Sequence, residues 1–389
     1  MRIRRWHDAG LVLPVMLVAL AAAACAGDDD SSGSRQSDAG KQPAAPGTGA
    51  STSIGTDAKH DAGQASCPDP GTTAPLDVFC IGLYENHDSK LYAASALPYT
   101  PGVLLWSDGA EKQRYLALPP GTKIDTSDMD AWKFPVGTKA FKEFRFGGKL
   151  VETRMIWKQA EHNTVYATYI WDANETDAPL NQSSKPTILD TGYEIPDAKD
   201  CGRCHHGAAD KYLGLEAVEL ALPTAKGLTL AKLAADRLLT DLPARTSITL
   251  PEDSTGKAGF AIGYLHVNCG MPCHSDRGLG DETNLLLRLR ADEFWPSADA
   301  DAGSASGGGT VDASTTDVFR HAVNQKPTTA SVAQKFPGAL RITPGDHAKS
   351  LIWLLADRRG EYQMPPLVTH KVDEPGMQKL ADWIDALPH

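Results

Sequence analysis

The strongest constraint on how this chain can fold is the spacing of Cys201, Cys204 and His205, which form a CxxCH motif. On one turn of a helix, residues three apart project from the same side, so two such thiols can reach one edge of a flat ligand. The adjacent histidine can then bind a metal at the centre of that ligand. This pattern is typical of covalently attached c-type haem. A zinc site and a redox-active cysteine pair are the alternatives, although no βαβ pattern surrounds the motif.

A second and longer motif follows at Cys269, Cys273 and His274, with CxxxCH spacing. Residues four apart still share one helix face, and Pro272 within the spacer favours a local interruption of the regular helix. The motif therefore predicts a second haem c at an atypical attachment site. A Cys269–Cys273 disulfide is the alternative.

The segment around the second motif has a recognisable order of elements. A predicted helix ends in CxxxCH, and then come a middle helix near 350–358, a Met364-Pro365-Pro366 loop and a last helix near 374–387. The apolar positions of the outer two helices are Ala261, Leu265, Leu380, Trp383, Ile384 and Leu387. This order resembles class I cytochrome c, in which the first and last helices cross and a loop methionine is the sixth iron ligand.

The resemblance covers residues 254–389 and departs from the family in the extra spacer residue and in an insertion at 297–316. It implies that His274 is the proximal iron ligand and Met364 the distal one. Ligation by Met and His raises a haem reduction potential, which suits an electron carrier. The alternative for Met364 is a loop methionine that fills a gap in the core.

Most of residues 98–389 is also similar to a group of bacterial exported di-haem cytochromes, often lipoproteins, in which a β-domain precedes the haem units. The matching segments are 104–110, 132–138, 152–154, 195–196 ahead of Cys201, 341–345 and 364–366. This resemblance implies a haem-bearing protein whose redox partner is unknown and whose substrate, if any, is unassigned.

The first haem would take His205 as its proximal ligand, but its distal ligand is not evident. Met155, His162, His206 and His266 are candidates, and for each the alternative is an ordinary structural role. Asp108 and Glu111 are close in sequence, and we expect them to lie in a turn at the surface.

The distribution of residue types along the chain predicts a multidomain α+β protein. Residues 139–146 and 164–171 are rich in aromatic and β-branched residues, which favours strands. We expect an antiparallel β-sandwich or jelly roll over 67–196. A disulfide between Cys67 and Cys80 is expected ahead of it, with two free thiols as the alternative. A first haem-binding helical segment is expected over 197–253, and a cytochrome c-like domain over 254–389 with a flexible insertion at 297–316.

The beginning of the chain predicts export. Three arginines precede an apolar run, and small residues lead to Cys25, as in a bacterial lipoprotein signal over 1–24. Lipidation of Cys25 is expected, with ordinary signal cleavage as the alternative. Residues 25–66 have almost no large apolar side chains and predict a disordered tether.

These features favour an electron carrier in the cell envelope, either anchored in a membrane through lipid and facing the periplasm or soluble in the periplasm. A di-haem peroxidase or a haem subunit of a periplasmic dehydrogenase is one alternative, and a carbohydrate- or partner-binding lipoprotein is another. The formal charge of −11 argues against nucleic-acid binding, which needs clustered Lys and Arg.

Overall fold

The computed structural model describes four stretches of the chain: residues 67–69, 71–86, 90–295 and 310–389. All of them belong to one unit, Asp61–His389. The predicted signal, Cys25 and the predicted tether lie outside the described residues. Strands and helices are both present, so the mixed α+β class is as expected.

Antiparallel strands dominate the first half of this unit. They are β1 (Leu97–Thr100), β2 (Glu111–Ala117), β3 (Lys139–Phe146), β4 (Lys149–Ala160), β5 (Asn163–Ile170), β6 (Thr187–Ile188), β7 (Glu194–Ile195) and β8 (Lys226–Gly227). Six of them form one sheet in the order β5-β4-β3-β2-β1-β8, and β6 pairs with β7. Both strands predicted from composition are present as β3 and β5. Gly147 and Gly148, with φ of 60° and 81°, make the tight turn from β3 to β4.

The described residues do not form the expected sandwich or jelly roll, because they contain one large sheet rather than two. One face of that sheet is covered instead by the segment 77–84, whose Val78, Ile81 and Leu83 are fully buried. This segment supplies the apolar surface that a second sheet would otherwise provide. Its first part is joined to the chain upstream by a Cys67–Cys80 disulfide.

Helices dominate the second half. They are α1 (Ala198–His205), α2 (Ala217–Ala221), α3 (Leu230–Ala235), α4 (Ala258–Leu265), α5 (Asp317–Ala322), α6 (Ala330–Lys335), α7 (Leu351–Ala356) and α8 (Glu374–Ala386). α4, α7 and α8 correspond to the three helices predicted around the second motif. α4 packs against α8, and Ala261, Leu265 and Trp383 are fully buried there.

The second face of the sheet continues into the helical core. Side chains alternate between the two faces of a strand, so Leu116, Ala140 and Ile156 point away from the segment 77–84. They join one hydrophobic cluster with Leu265 and Trp383. This cluster includes side chains from all three ranges predicted as domains, so sheet and helices share a core.

The prediction of a flexible insertion at 297–316 is wrong for its last residues. Residues 296–309 lie outside the described residues, but Ala313–Thr315 form a short 3-10 helix. Ala313 and Thr316 are fully buried. The Thr316 side chain also caps the N-terminus of α5. Within the described stretches, no helix has the length and apolar character needed to cross a bilayer.

Candidate functional site

The sheet and the helices enclose a cavity of about 310 Å³. Ligand-binding cavities usually measure roughly 300–1,000 Å³. All seven residues predicted to attach or ligate haem line it: Cys201, Cys204, His205, Cys269, Cys273, His274 and Met364. Residues that are up to 163 positions apart in sequence therefore meet around one space.

The first motif lies on the short helix α1. The Asp197 carboxylate begins this helix by accepting hydrogen bonds from the backbone N–H groups of Lys199 and Asp200, at 2.8 and 3.0 Å. Cys201 and Cys204 are free thiols and half-buried. Burial raises the pKa of both thiols, that of Cys204 to about 11, so both are protonated at neutral pH.

His205 has one ring nitrogen engaged and the other available. Its Nδ1 lies 2.6 Å from the backbone carbonyl oxygen of Lys211. A carbonyl can only accept, so the proton is on Nδ1, and the lone pair of Nε2 is free to bind a metal. Burial lowers the pKa of His205 to about 3, which keeps the imidazole neutral. This is the arrangement that a proximal iron ligand needs.

The extra residue of the second motif is accommodated by a π-type turn. α4 is followed by such a turn at His266–Gly270, and the His274 N–H donates to the Cys269 carbonyl at 2.8 Å, five residues back. A wider turn brings residues more than three apart onto one side. The turn thus takes the place of the local interruption that the CxxxCH spacing predicts. Cys269 and Cys273 are free thiols, not the disulfide that was the alternative.

His274 repeats the arrangement of His205. Its Nδ1 lies 3.4 Å from the Thr283 hydroxyl oxygen, and that hydroxyl donates its own proton to the Gly280 carbonyl at 2.6 Å. The oxygen is therefore left to accept from Nδ1–H, and Nε2 is again free. Burial, with a smaller effect of the Arg341 guanidinium, lowers the pKa of His274 to about 4.

Met364 lies in the loop between α7 and α8. Its N–H donates to the Leu355 carbonyl at 2.8 Å, and its bond to Pro365 is cis. The side chain is 36% exposed and lines the cavity. A methionine that fills a gap in the core would be buried, so this exposure argues against that alternative.

The loop after Met364 is held by Asp108, which corrects the expectation of a surface turn. Asp108 is buried, and its carboxylate accepts from the Thr369 hydroxyl at 2.7 Å and from the His370 N–H at 2.6 Å. The neighbouring Trp106 donates its indole N–H to the Lys371 carbonyl at 3.0 Å. Its backbone N–H donates to the Asn268 side chain, next to Cys269, at 2.7 Å. The segment 106–108 therefore fixes both the second motif and the methionine loop.

The two motifs also touch each other. Gly207, two residues beyond His205, packs so closely on the backbone of Met271 and Pro272 that an added Cβ would overlap the Met271 carbonyl oxygen. Met271 is in the spacer of the second motif. A side chain at position 207 would therefore separate the motifs.

We expect Gly207→Ala to lower the free energy of unfolding by about 1–3 kcal/mol, the usual cost of overpacking. The reason is that backbone, not a flexible side chain, occupies the space. Gly202→Ala is the matched control, because Gly202 lies in α1, shortly before Gly207, with nothing within 4 Å of an added Cβ. Urea unfolding of both variants measures the difference, and equal stabilities would contradict the contact.

The four candidates for a distal ligand of the first haem have other roles. Met155 belongs to the apolar cluster on the far face of the sheet. His162 and His206 are exposed and do not line the cavity. His266 is fully buried and its Nδ1 accepts from the Leu289 N–H at 3.0 Å. Of these four, only Met155 lines the cavity, and the alternation of side chains along β4 turns its side chain to the far face of the sheet.

A zinc site at the motifs is not assembled among the described residues. Within them, three potential ligand atoms come within 4.8 Å of one another only at Glu216, Glu219 and His266. That cluster is itself a poor metal site, because the bond from the Leu289 N–H to Nδ1 places the imidazole proton on Nε2. This Nε2 is 3.5 Å from Glu216.

The sequence reasoning missed two groups of residues at the cavity. One is Asp108. Its Ser-Asp-Gly segment is the sequence signal of a turn, and in the structure Asp108 has a positive φ of 51°. The other is a set of cations on the sheet, which line the cavity from three neighbouring strands: Lys112, Lys142 and Arg154. Comparisons of the chain with protein-family models, curated proteins and solved structures find no match.

Proposed function

We propose that this chain is an exported electron-transfer protein with two covalently bound haems. Cys201 and Cys204 would attach the first haem and His205 would ligate its iron. Cys269 and Cys273 would attach the second, between His274 and Met364. Haem iron supplies one-electron redox chemistry, and the protein's part is to hold, orient and enclose it.

The observation that carries the proposal is that all seven residues line a single cavity. The donor set supports it as well, since each motif histidine has Nδ1 engaged by an oxygen and Nε2 available. The thiols are protonated and unpaired, as attachment to a porphyrin edge requires. The contact at Gly207 keeps the two attachment points adjacent, which favours electron transfer between the two haems.

The test is a haem count on protein made together with a cytochrome-maturation system. We expect the pyridine haemochrome assay and intact-mass analysis to give two haems per chain. Cys201→Ser with Cys204→Ser should retain one haem, and Cys269→Ser with Cys273→Ser should retain the other. A wild-type chain without haem, or with coordinated zinc, would overturn the proposal.

An enzymatic role is the second candidate, and a specific observation favours it. His162, His206 and His266 do not line the cavity, and Met155 lines it from β4 while its side chain packs in the apolar cluster on the far face of the sheet. A first haem without a sixth protein ligand would be open to a small molecule such as peroxide. Peroxide-dependent oxidation of a reduced donor distinguishes a di-haem peroxidase or a dehydrogenase subunit from a simple carrier.

A carbohydrate- or partner-binding role has weaker support. Trp132 and Trp171, two of the four tryptophans of the sheet region, are buried in the core. A binding face built from aromatic side chains would need them at the surface. Lipidation at Cys25 and a location in the cell envelope stay predictions, and the negative charge of the chain would suit a basic redox partner.

A further inference from the structure

One face of the sheet presents cations to the cavity. Lys112 is on β2, Lys142 on β3 and Arg154 on β4, and all three line the cavity. Lys142 stands directly opposite Arg154 on one side and Arg114 on the other. Side chains directly opposite each other on antiparallel strands are about 5 Å apart at Cβ, and like charges there are destabilising.

Among the residues that the structure describes, only Arg154 of these three cations has a carboxylate partner. The Arg154 Nε donates to Glu152 at 2.7 Å. The Lys112 ammonium donates to the Leu105 carbonyl at 2.6 Å, which brings no negative charge. The Lys142 side chain makes no hydrogen bond or ion pair with any described residue.

The acidic residues of the same cavity are engaged elsewhere. Asp108 and Glu194 bind the loop that follows Met364, through His370 and its neighbours. Asp200 is beside Arg203, and Asp373 caps α8. Within the described residues, Lys112 and Lys142 therefore face the cavity without a carboxylate partner, in a chain whose formal charge is −11.

The environment of the lysines agrees with a missing anion. Burial, together with the guanidinium groups of Arg114 and Arg154, lowers the pKa of Lys142 to about 7. Burial and the same neighbouring cations lower the pKa of Lys112 well below its usual range. An anion between them would restore the charge that burial now opposes.

We propose that Lys112, Lys142 and Arg154 form an anion-binding wall of the cavity, which takes carboxylates or small oxyanions. The wall itself does not depend on the proposed function, but one source of the ligand does, namely the propionate carboxylates of a bound haem. The other source is a free small oxyanion that enters the cavity. A ligand with an apolar body and a charged end matches a cavity with apolar walls and one cationic face.

The first arm of the test uses free anions. Acetate, inorganic phosphate and nitrite are titrated calorimetrically, at constant ionic strength, into the haem-loaded wild type, Lys142→Gln and the control Lys149→Gln. Lys149 is exposed on the same sheet, at the start of β4. If a free oxyanion is the ligand, wild type and control bind one probe saturably, and Lys142→Gln binds it about 10- to 100-fold more weakly.

The second arm addresses haem carboxylates. If propionates occupy the wall, none of the probes binds, and Lys142→Gln shifts the propionate vibrations in resonance Raman spectra while Lys149→Gln does not. Equal probe binding by wild type and Lys142→Gln, or no binding with unchanged propionate bands, would overturn the proposal. So would a change of spin state in Lys142→Gln, since Lys142 would then be an iron ligand.

Failure of the wall can be told apart from failure of the proposed function. A chain that carries no haem overturns the proposed function but not the anion-binding wall. The first arm is then run on the same haem-free chain, where probe binding that Lys142→Gln abolishes still supports the wall. Absence of binding there overturns it.

Discussion

Replacing Asp108 with Asn is expected to lower the free energy of unfolding by about 2–4 kcal/mol and to loosen the loop that carries Met364. The buried carboxylate accepts from the Thr369 hydroxyl and the His370 N–H. An amide nitrogen can accept neither bond, so a buried donor loses its partner. Asn tolerates the positive φ of 51° at this position, so the backbone itself is not the cause of the loss.

Two measurements check this expectation. Urea unfolding gives the stability, and redox titration gives the two reduction potentials of the haem-loaded protein. If Met364 ligates the second haem, Asp108→Asn lowers one potential and leaves the other, because loss of Met ligation lowers a haem potential. Asp172→Asn is the control, since Asp172 caps an exposed turn at Thr176 in the same way. Unchanged stability and potentials would show that Asp108 does not hold the loop.

The second large effect is expected at Glu152 and Arg154, two residues apart on β4, of which Arg154 lines the cavity. Glu152 is fully buried, pairs with the Arg154 guanidinium and accepts from the Tyr193 hydroxyl at 2.7 Å. Glu152→Gln should cost about 3–5 kcal/mol, because it leaves a largely buried guanidinium without its counter-ion. The double variant with Arg154→Gln should recover part of this loss, since no uncompensated charge remains.

A double-mutant cycle measured by urea unfolding isolates the pair. The control is Asp292→Asn, which breaks the exposed pair with Arg290 at the same sequence spacing of two. That change should stay within about 1 kcal/mol, because solvent screens an exposed ion pair. Additive effects in the Glu152–Arg154 cycle would mean that the two side chains are not coupled.

The local sequence pattern was sufficient to predict one strand of the sheet and the helices around the second motif. The strand over 139–146 and the helices α4, α7 and α8 follow from composition and periodicity, because such short segments are governed by their own side chains. Pro272 within the CxxxCH spacer already favoured an interruption of the helix, and a π-type turn is present at His266–Gly270. The absence of the expected sandwich was not predictable in this way, since nothing local indicates that a loop with Val78, Ile81 and Leu83 would cover one face of the sheet.

The sequence by itself determined which residues are predicted to carry the chemistry. The two thiol–imidazole motifs were identified by the short spacing of their residues, and the loop methionine by the resemblance to class I cytochrome c. Only the tertiary structure decided that both motifs and the methionine face one cavity, that Asp108 holds the methionine loop from 261 residues away, and that a sheet face supplies Lys112 and Lys142. The physical reason is that spacing along a helix turn is fixed by backbone geometry. Contacts between distant segments depend instead on how the shared apolar core is packed.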